Sequence, residues 1–215
     1  MTRVKICGLR RAEDAAAALA AGADALGFNF WKGTPRYVEP RAAAGMVADV
    51  PAGVLTVGVF VNEEPERVVE IANQTGVMAL QLHGSESPEY LDQLGAFMKI
   101  KTLKVGPGFA AEEMSRYASA SLFLLEGLVA GMVGGTGHTF DWALAEEAKE
   151  YGKIILAGGL RPDNVAEAVR RVRPWGVDVA SGVESEPGKK DARLIRAFIQ
   201  AARSAEEKTA SSTTV

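Results

Sequence analysis

The sequence predicts a single-domain α/β fold, a (β/α)8 barrel with one parallel eight-stranded sheet closed on itself. Three observations carry this. Short apolar runs and helical patterns alternate eight times within roughly 205 of the 215 residues, a length that suits one such barrel. The runs are continuously apolar rather than alternating, as parallel strands covered on both faces must be. Glycine-containing turns, Gly158-Gly159 and Ser181-Gly182, follow the seventh and eighth strands. The competing fold is a doubly wound open sheet, which usually needs fewer strands and carries a glycine fingerprint after the first one. Here that turn reads Cys7-Gly8-Leu9-Arg10, which does not match. No linker and no exact internal repeat divides the chain.

The elements follow in order. Val4 to Ile6 is a β-branched run with turn chemistry behind it, and Cys7 falls where the strand should end. Residues 10–21 are Ala-rich and stop at Gly22, a helix with a C-terminal glycine. Ala23 to Phe28 is the second strand, 29–37 a loop, and 40–48 a helix. Val54 to Phe60 is the third strand, with Asn62 as N-cap of a helix at 63–75. Met78 to Leu82 is the fourth strand, and Ser87-Pro88 opens a helix to Leu94. Met98 to Leu103 is the fifth strand, followed by a weaker helix at 110–117. Ser121 to Glu126 is the sixth strand, with a long loop, 127–140, behind it. Asp141 can cap a helix at 142–151, for which Phe140 and Trp142 supply packing. Lys153 to Leu156 and Gly176 to Val179 are the last strands, each followed by a helix, at 162–173 and 189–204. The barrel domain is therefore placed at 1–204. The remainder, 205–215, is small, polar and charged and reads as a disordered tail.

Composition excludes several classes. A net charge of −3 with two histidines gives no basic footprint for nucleic acid. One cysteine allows no internal disulfide and no CxxC metal pair, which fits a reducing interior. No apolar run approaches the roughly 18 residues of a membrane span, and the first strand starts without a signal peptide before it. The expectation is a cytoplasmic protein with no membrane partner.

In a barrel of this type, residues at the C-terminal ends of the strands share one mouth, where active sites sit. That places Cys7, Asn29, Arg36, His83, Glu126, the Gly134–Gly137 loop, Gly158, Gly159, Asp178, Ser181 and Gly182 around one pocket. Cys7 reads either as a small buried hydrophobe or as a reactive thiol. The glycine turns read either as ordinary tight turns or as a cradle whose backbone N–H groups hold a phosphate.

The motifs together resemble the phosphoribosylanthranilate isomerase family. They are Lys5-Ile6-Cys7-Gly8, Gly27-Phe28-Asn29-Phe30, Pro35-Arg36-Tyr37, Val57 through Asn62, and Gln81-Leu82-His83-Gly84. They continue with Gly134 through Gly137, Phe140-Asp141-Trp142, Leu156 through Leu160, Gly176 through Val179, Ser181 through Glu184, and Gly188 through Asp191. The resemblance implies the rearrangement of N-(5-phosphoribosyl)anthranilate to 1-(2-carboxyphenylamino)-1-deoxy-D-ribulose 5-phosphate, with no cofactor and no metal. It implies that Cys7 is the general base and that the acid stands at the position of Glu126. It also implies that Arg36 grips the anthranilate carboxylate, and that Asp178 hydrogen-bonds the amino nitrogen or ribose hydroxyls. His83 reads as a group polarising a hydroxyl or as a structural histidine. The expected partner is a small phosphorylated substrate, and the assembly a monomer or a homodimer.

Two positions depart from the family pattern. The family carries aspartate in a Leu-Leu-Asp motif at the end of strand six, where this chain reads Leu124-Leu125-Glu126. The extra methylene moves the carboxyl by about 1 Å, a displacement that can cost about 10²-fold in rate. Burial beneath the 127–140 loop is expected to raise the Glu126 pKa and keep its proton in place near neutral pH. Ala180 stands where the family often has serine. Two other readings are a related isomerase acting on an aminoimidazole ribonucleotide and a non-catalytic phosphate-binding barrel. The first would place aspartates after strands one and five, where this chain has Cys7 and Leu103-Lys104.

Overall fold

A computed structural model describes residues 1–127 and 142–211, with 206–211 described by backbone alone. Residues 128–141 and 212–215 lie outside the described residues, and with them Gly134–Gly137, Phe140 and Asp141. Eight parallel strands close into a barrel in sequence order. They are β1 (Arg3–Ile6), β2 (Ala25–Asn29), β3 (Leu55–Phe60), β4 (Ala79–Leu82), β5 (Met98–Val105), β6 (Leu122–Gly127), β7 (Ile154–Ala157) and β8 (Gly176–Val179). β1 closes the ring by pairing with both neighbours, Lys5 opposite Ala25 on β2 and opposite Asp178 on β8. The barrel fold predicted from the alternation is the fold found.

The strands are apolar throughout because both faces are covered. Val57, Ala79, Ile100, Leu122, Leu124, Ile155 and Ala157 fill the barrel interior. Ile6, Leu26, Phe28, Leu80, Leu82, Leu125 and Leu156 face outward and pack under the helices. Each such side chain contributes about 1.5–3 kcal/mol by leaving water. The helices are α1 (Ala12–Ala20), α2 (Pro40–Ala48), α3 (Pro65–Thr75), α4 (Pro88–Asp92), α5 (Trp142–Ala148), α6 (Val165–Val172) and α7 (Ala192–Ser211). In α6, Val165, Ala168, Val169 and Val172 are buried, the three- and four-residue spacing of one helical face. No described helix is long and apolar enough to cross a membrane.

Several local expectations change. The connection after β5 is a 3-10 helix, Ala111–Arg116, since six residues without a side-chain cap cannot offset the cost of starting an α-helix. Asn62 does not cap α3. Pro65 sets the first turn and Glu64 takes the cap position, while the Asn62 side-chain Oδ1 accepts the Ser85 N–H at 2.7 Å. Ser87 does cap α4, accepting the Tyr90 N–H. Lys189–Lys190 form β10, paired with β9 (Glu184–Glu186), so the last helix begins at Ala192 instead of 189. It runs to Ser211, so residues 205–211 are helical where a disordered tail was expected.

Candidate active site

Nine of the residues expected at the mouth line one pocket there: Cys7, Arg36, His83, Glu126, Gly158, Gly159, Asp178, Ser181 and Gly182; the expected Gly134–Gly137 loop lies outside the described residues. Asn29, Trp31, Gln81 and Ala180 also line it.

Cys7 is the first residue beyond β1, and its N–H donates to the Val179 carbonyl at 2.9 Å. That bond ties it to the end of β8 and leaves its thiol 7% exposed as a residue. Lys5, two residues earlier, shares its face because strand side chains alternate. Gly27 on β2 leaves the space they use. A Cβ there would stand 2.8 Å from Cys7 Sγ and 3.1 Å from Lys5 Nζ. Lys5 Nζ donates to Asp178 Oδ1 at 2.8 Å, a pair whose side chains are 4% and 10% exposed. Burial pushes the Cys7 thiol pKa up, and the Lys5 ammonium opposes this through its charge and a hydrogen bond. Asp178 adds to the upward shift and Lys190 works against it. Burial opposes the charge on Lys5, but Asp178 and Cys7 more than offset it and hold the ammonium protonated.

Arg36 does not wait unpaired for a ligand. Its Nε and Nη2 donate to the two Glu184 carboxylate oxygens at 2.9 and 2.8 Å, a bidentate pair. Lys190 Nζ donates to Glu184 Oε1 at 2.8 Å and to the Ala180 carbonyl at 3.0 Å. Burial would raise the Glu184 pKa, but Arg36 and Lys190 bring it below the ordinary carboxylate value. The β9–β10 hairpin thus carries the carboxylate that orients Arg36. A carboxylate on a ligand would have to share or displace that contact.

On the opposite wall Glu126 ends β6, in register with Lys104 on β5. Lys104 Nζ donates to Glu126 Oε2, and His83 Nε2 lies 3.1 Å from the same oxygen. Gln81 Nε2 lies 2.9 Å from His83 Nδ1, and Thr102 Oγ1 is 3.1 Å from that nitrogen. Burial pushes the Glu126 pKa up. The hydrogen bond and charge of His83 and the charge and hydrogen bond of Lys104 outweigh it, bringing the carboxyl down to about 2. This corrects the sequence reading, which placed a raised, proton-holding carboxyl here. The competing donors were not visible in the motif.

The glycine turns sit beside one another. Gly158 and Gly159 have φ of +83° and +66°, the left-handed region that side chains rarely adopt. At Gly182 a Cβ would stand 2.0 Å from the Leu160 carbonyl oxygen, so only glycine lets the turns after β7 and β8 approach this closely. Ser181–Val183 is a single 3-10 turn directly behind β8. The arrangement aims backbone at the pocket from both strand ends, as a phosphate cradle requires.

Sequence reasoning missed Lys5, Gln81, Lys104, Glu184 and Lys190. A signal was present for the first two. Each is a polar residue inside an apolar strand, two positions before a mouth residue, and so on the face that points into the barrel.

A (β/α)8 barrel with a thiol, a carboxylate, a guanidinium and two adjoining glycine turns at its C-terminal mouth defines the class: a barrel enzyme with its site at the strand ends. Comparison with known proteins gives the family. The chain belongs to the N-(5'phosphoribosyl)anthranilate (PRA) isomerase family, which it matches over residues 4–201. It is 44% identical over 206 residues to N-(5'-phosphoribosyl)anthranilate isomerase of Rubrobacter xylanophilus, covering 95% of this chain and 100% of that one. The crystal structure of phosphoribosyl anthranilate isomerase from Thermotoga maritima superposes with a TM-score of 0.89 at 39% identity, over 95% of this chain and 100% of that one. A crystal structure of the enzyme in complex with reduced 1-(o-carboxyphenylamino)-1-deoxyribulose 5-phosphate gives a TM-score of 0.85 at 38% identity, with the same coverage.

Proposed function

We propose that this chain catalyses the Amadori rearrangement of N-(5-phosphoribosyl)anthranilate to 1-(2-carboxyphenylamino)-1-deoxy-D-ribulose 5-phosphate in tryptophan biosynthesis, by general acid–base catalysis with no cofactor. The observation that carries the reading is one pocket lined by Cys7, Glu126, Arg36, Asp178 and the glycine cradle. Opening the furanose needs a proton on its ring oxygen, so that C1′–O4′ breaks as the anthranilate nitrogen forms a C=N bond. A base then removes the C2′ proton, and the resulting enolamine becomes the ketone when C1′ is protonated. Cys7 is the base, with the Lys5 charge beside it favouring the ionised thiol against the burial that raises its pKa. The acid step belongs to the Glu126 end of the pocket.

The phosphate is held by Gly158, Gly159, Ser181 and Gly182, where backbone donors suffice without a side-chain hydroxyl at Ala180. Arg36 binds the anthranilate carboxylate, kept in place by Glu184. Asp178 faces the ribose or the amino nitrogen. The assembly is a monomer or a homodimer. A cytoplasmic location is proposed with it, given the single free thiol.

The test is turnover of phosphoribosylanthranilate by the purified chain, followed by loss of its fluorescence, with inorganic phosphate as competitor. Fluorescence loss at an enzymatic rate, inhibited competitively by phosphate, is expected. Phosphate binding without turnover would leave a non-catalytic barrel instead.

A further inference from the structure

The buried charges of the barrel are paired. Lys101 meets Glu86 at 2.7 Å, and Lys5 meets Asp178 and Lys190 meets Glu184 at 2.8 Å. Among the described residues one buried side-chain polar atom stands without a hydrogen-bond partner, and it is Gln81 Oε1. Such an atom has given up water and gained nothing in return, which destabilises the free protein. The residue is 1% exposed and lines the pocket at the mouth.

Its place in the strand explains the burial. Ala79 on β4 fills the barrel interior, and the side chain two residues on points the same way. Gln81 therefore stands between the packed interior and the mouth residue His83. Its neighbours across the rung are Val59 on β3 and Ile100 on β5, both apolar and buried. An apolar side chain would suit those neighbours better, so packing does not account for an amide here. One end of the amide is engaged, with Nε2 2.9 Å from His83 Nδ1. An amide has a donor end and an acceptor end, and the imidazole nitrogen answers one of them in either tautomer. The other end is left over in both cases.

The group that matches a leftover amide end of either kind must both donate and accept. A hydroxyl does both. Carboxylate and ionised phosphate only accept, and an N–H attached to an aromatic ring only donates. We infer that Gln81 is a substrate-binding residue whose free amide end hydrogen-bonds a ribose hydroxyl, so that this part of the pocket selects a hydroxylated sugar. The inference deepens the proposed function and rests on it. A neutral amide neither gives nor takes a proton, so Gln81 binds and orients without entering the proton transfers. The bound hydroxyl is linked through the amide to His83, whose Nε2 lies 3.1 Å from Glu126 Oε2.

The experiment measures two ligands against the parent and Gln81→Met, an unbranched apolar replacement of similar length. One ligand is reduced 1-(o-carboxyphenylamino)-1-deoxyribulose 5-phosphate, which carries the sugar hydroxyls. The other has the same carboxyphenylamino and phosphate ends joined by an unsubstituted pentyl chain. Gln81→Met is expected to weaken the hydroxylated ligand by about 3- to 10-fold, the worth of one hydrogen bond, and to leave the pentyl ligand unchanged. Without ligand it should unfold at the parent's temperature or above, because the unmatched atom is gone and Thr102 Oγ1 still lies 3.1 Å from His83 Nδ1. Equal weakening of both ligands would overturn the inference and make Gln81 a prop for His83. Unchanged affinity for both would overturn it too, since the amide would then touch no ligand. Should Gln81→Met not fold, Gln81→Asn draws the amide back by one methylene and is held to the same split between the two ligands. A parent that binds neither ligand would sink the proposed function itself, a failure separate from these.

Discussion

The two walls of the pocket bury ionisable groups to a similar degree and drive them in opposite directions. On the β1–β8 wall, burial raises the Cys7 thiol, and the cation that opposes this most, Lys5, is shared with Asp178. On the β5–β6 wall, burial would also raise Glu126, but Lys104 and His83 converge on one oxygen and the carboxyl falls to about 2. Desolvation is therefore the larger influence on one wall and the overruled one on the other. What differs is the number of donors aimed at the group, not its depth. On the first wall burial disfavours the ionised thiol more than its neighbours favour it. The second keeps its carboxylate charged and surrounds it with protons.

The comparison breaks most sharply at Cys7. Cys7→Ala should fold normally and lose about 10²–10⁴-fold in kcat, the range for a general base. Cys7→Ser should be nearly as slow, since a serine hydroxyl is far harder to ionise. A parent-like kcat in Cys7→Ala would remove the base from this wall altogether.

The other wall is open to a stability measurement. The folded-state pKa of Glu126 lies below its ordinary value of 4.5, at about 2. Its ionised form therefore stabilises the fold fully above about pH 4.5, and that contribution is lost as pH falls toward 2. At one pK unit per 1.4 kcal/mol it is worth at most about 3 kcal/mol. Glu126→Gln should unfold at lower denaturant than the parent at pH 7, and the gap should close in acid. A gap that is the same at pH 7 and pH 3 would show that the ion cluster does not carry the difference.

Arg36→Met tests the link between hairpin and pocket. Losing a charged hydrogen bond to substrate costs about 1.5–3 kcal/mol, a 10- to 100-fold rise in KM with a smaller change in kcat. Glu184→Gln should give a weaker version of the same effect, because it loosens Arg36 without removing it. An unchanged KM in both variants would put the substrate carboxylate elsewhere.

The smallest expected effect sharpens the contrast at Lys5. Lys5→Met removes the cation beside the thiol, so Cys7 should titrate higher than in the parent, read from thiolate absorbance against pH. A thiol titration that does not move would mean that Asp178 already neutralises Lys5 for this purpose.

Much of the site was legible in the sequence. The strand runs set the barrel, and the barrel rule assigns every strand end to one mouth. Cys7, His83, Glu126 and Asp178 could therefore be grouped without coordinates, and the pocket does gather them. The protonation of Glu126 was not legible. A motif shows which carboxyl stands at the end of β6, but Lys104 reaches it only because β5 and β6 pair in that register. The 3-10 turn after β5 and the Pro65 start of α3 were likewise missed, since local rules fix helix ends only to within a few residues.

By itself the sequence determined the alternation of elements, the buried parallel strands and the side chains that stand at their C-terminal ends. These depend on local periodicity and on the fixed direction of a strand, which any one segment carries. Only the tertiary structure decided the partners. Lys5 meets Asp178 across 173 residues and Arg36 meets Glu184 across 148. Both contacts exist because the ring closes β1 onto β8 and folds the hairpin back over the mouth. Electrostatic energy depends on distances of a few ångströms between such groups. The charge each site residue carries is thus set by closure of the barrel, not by its neighbours in the chain.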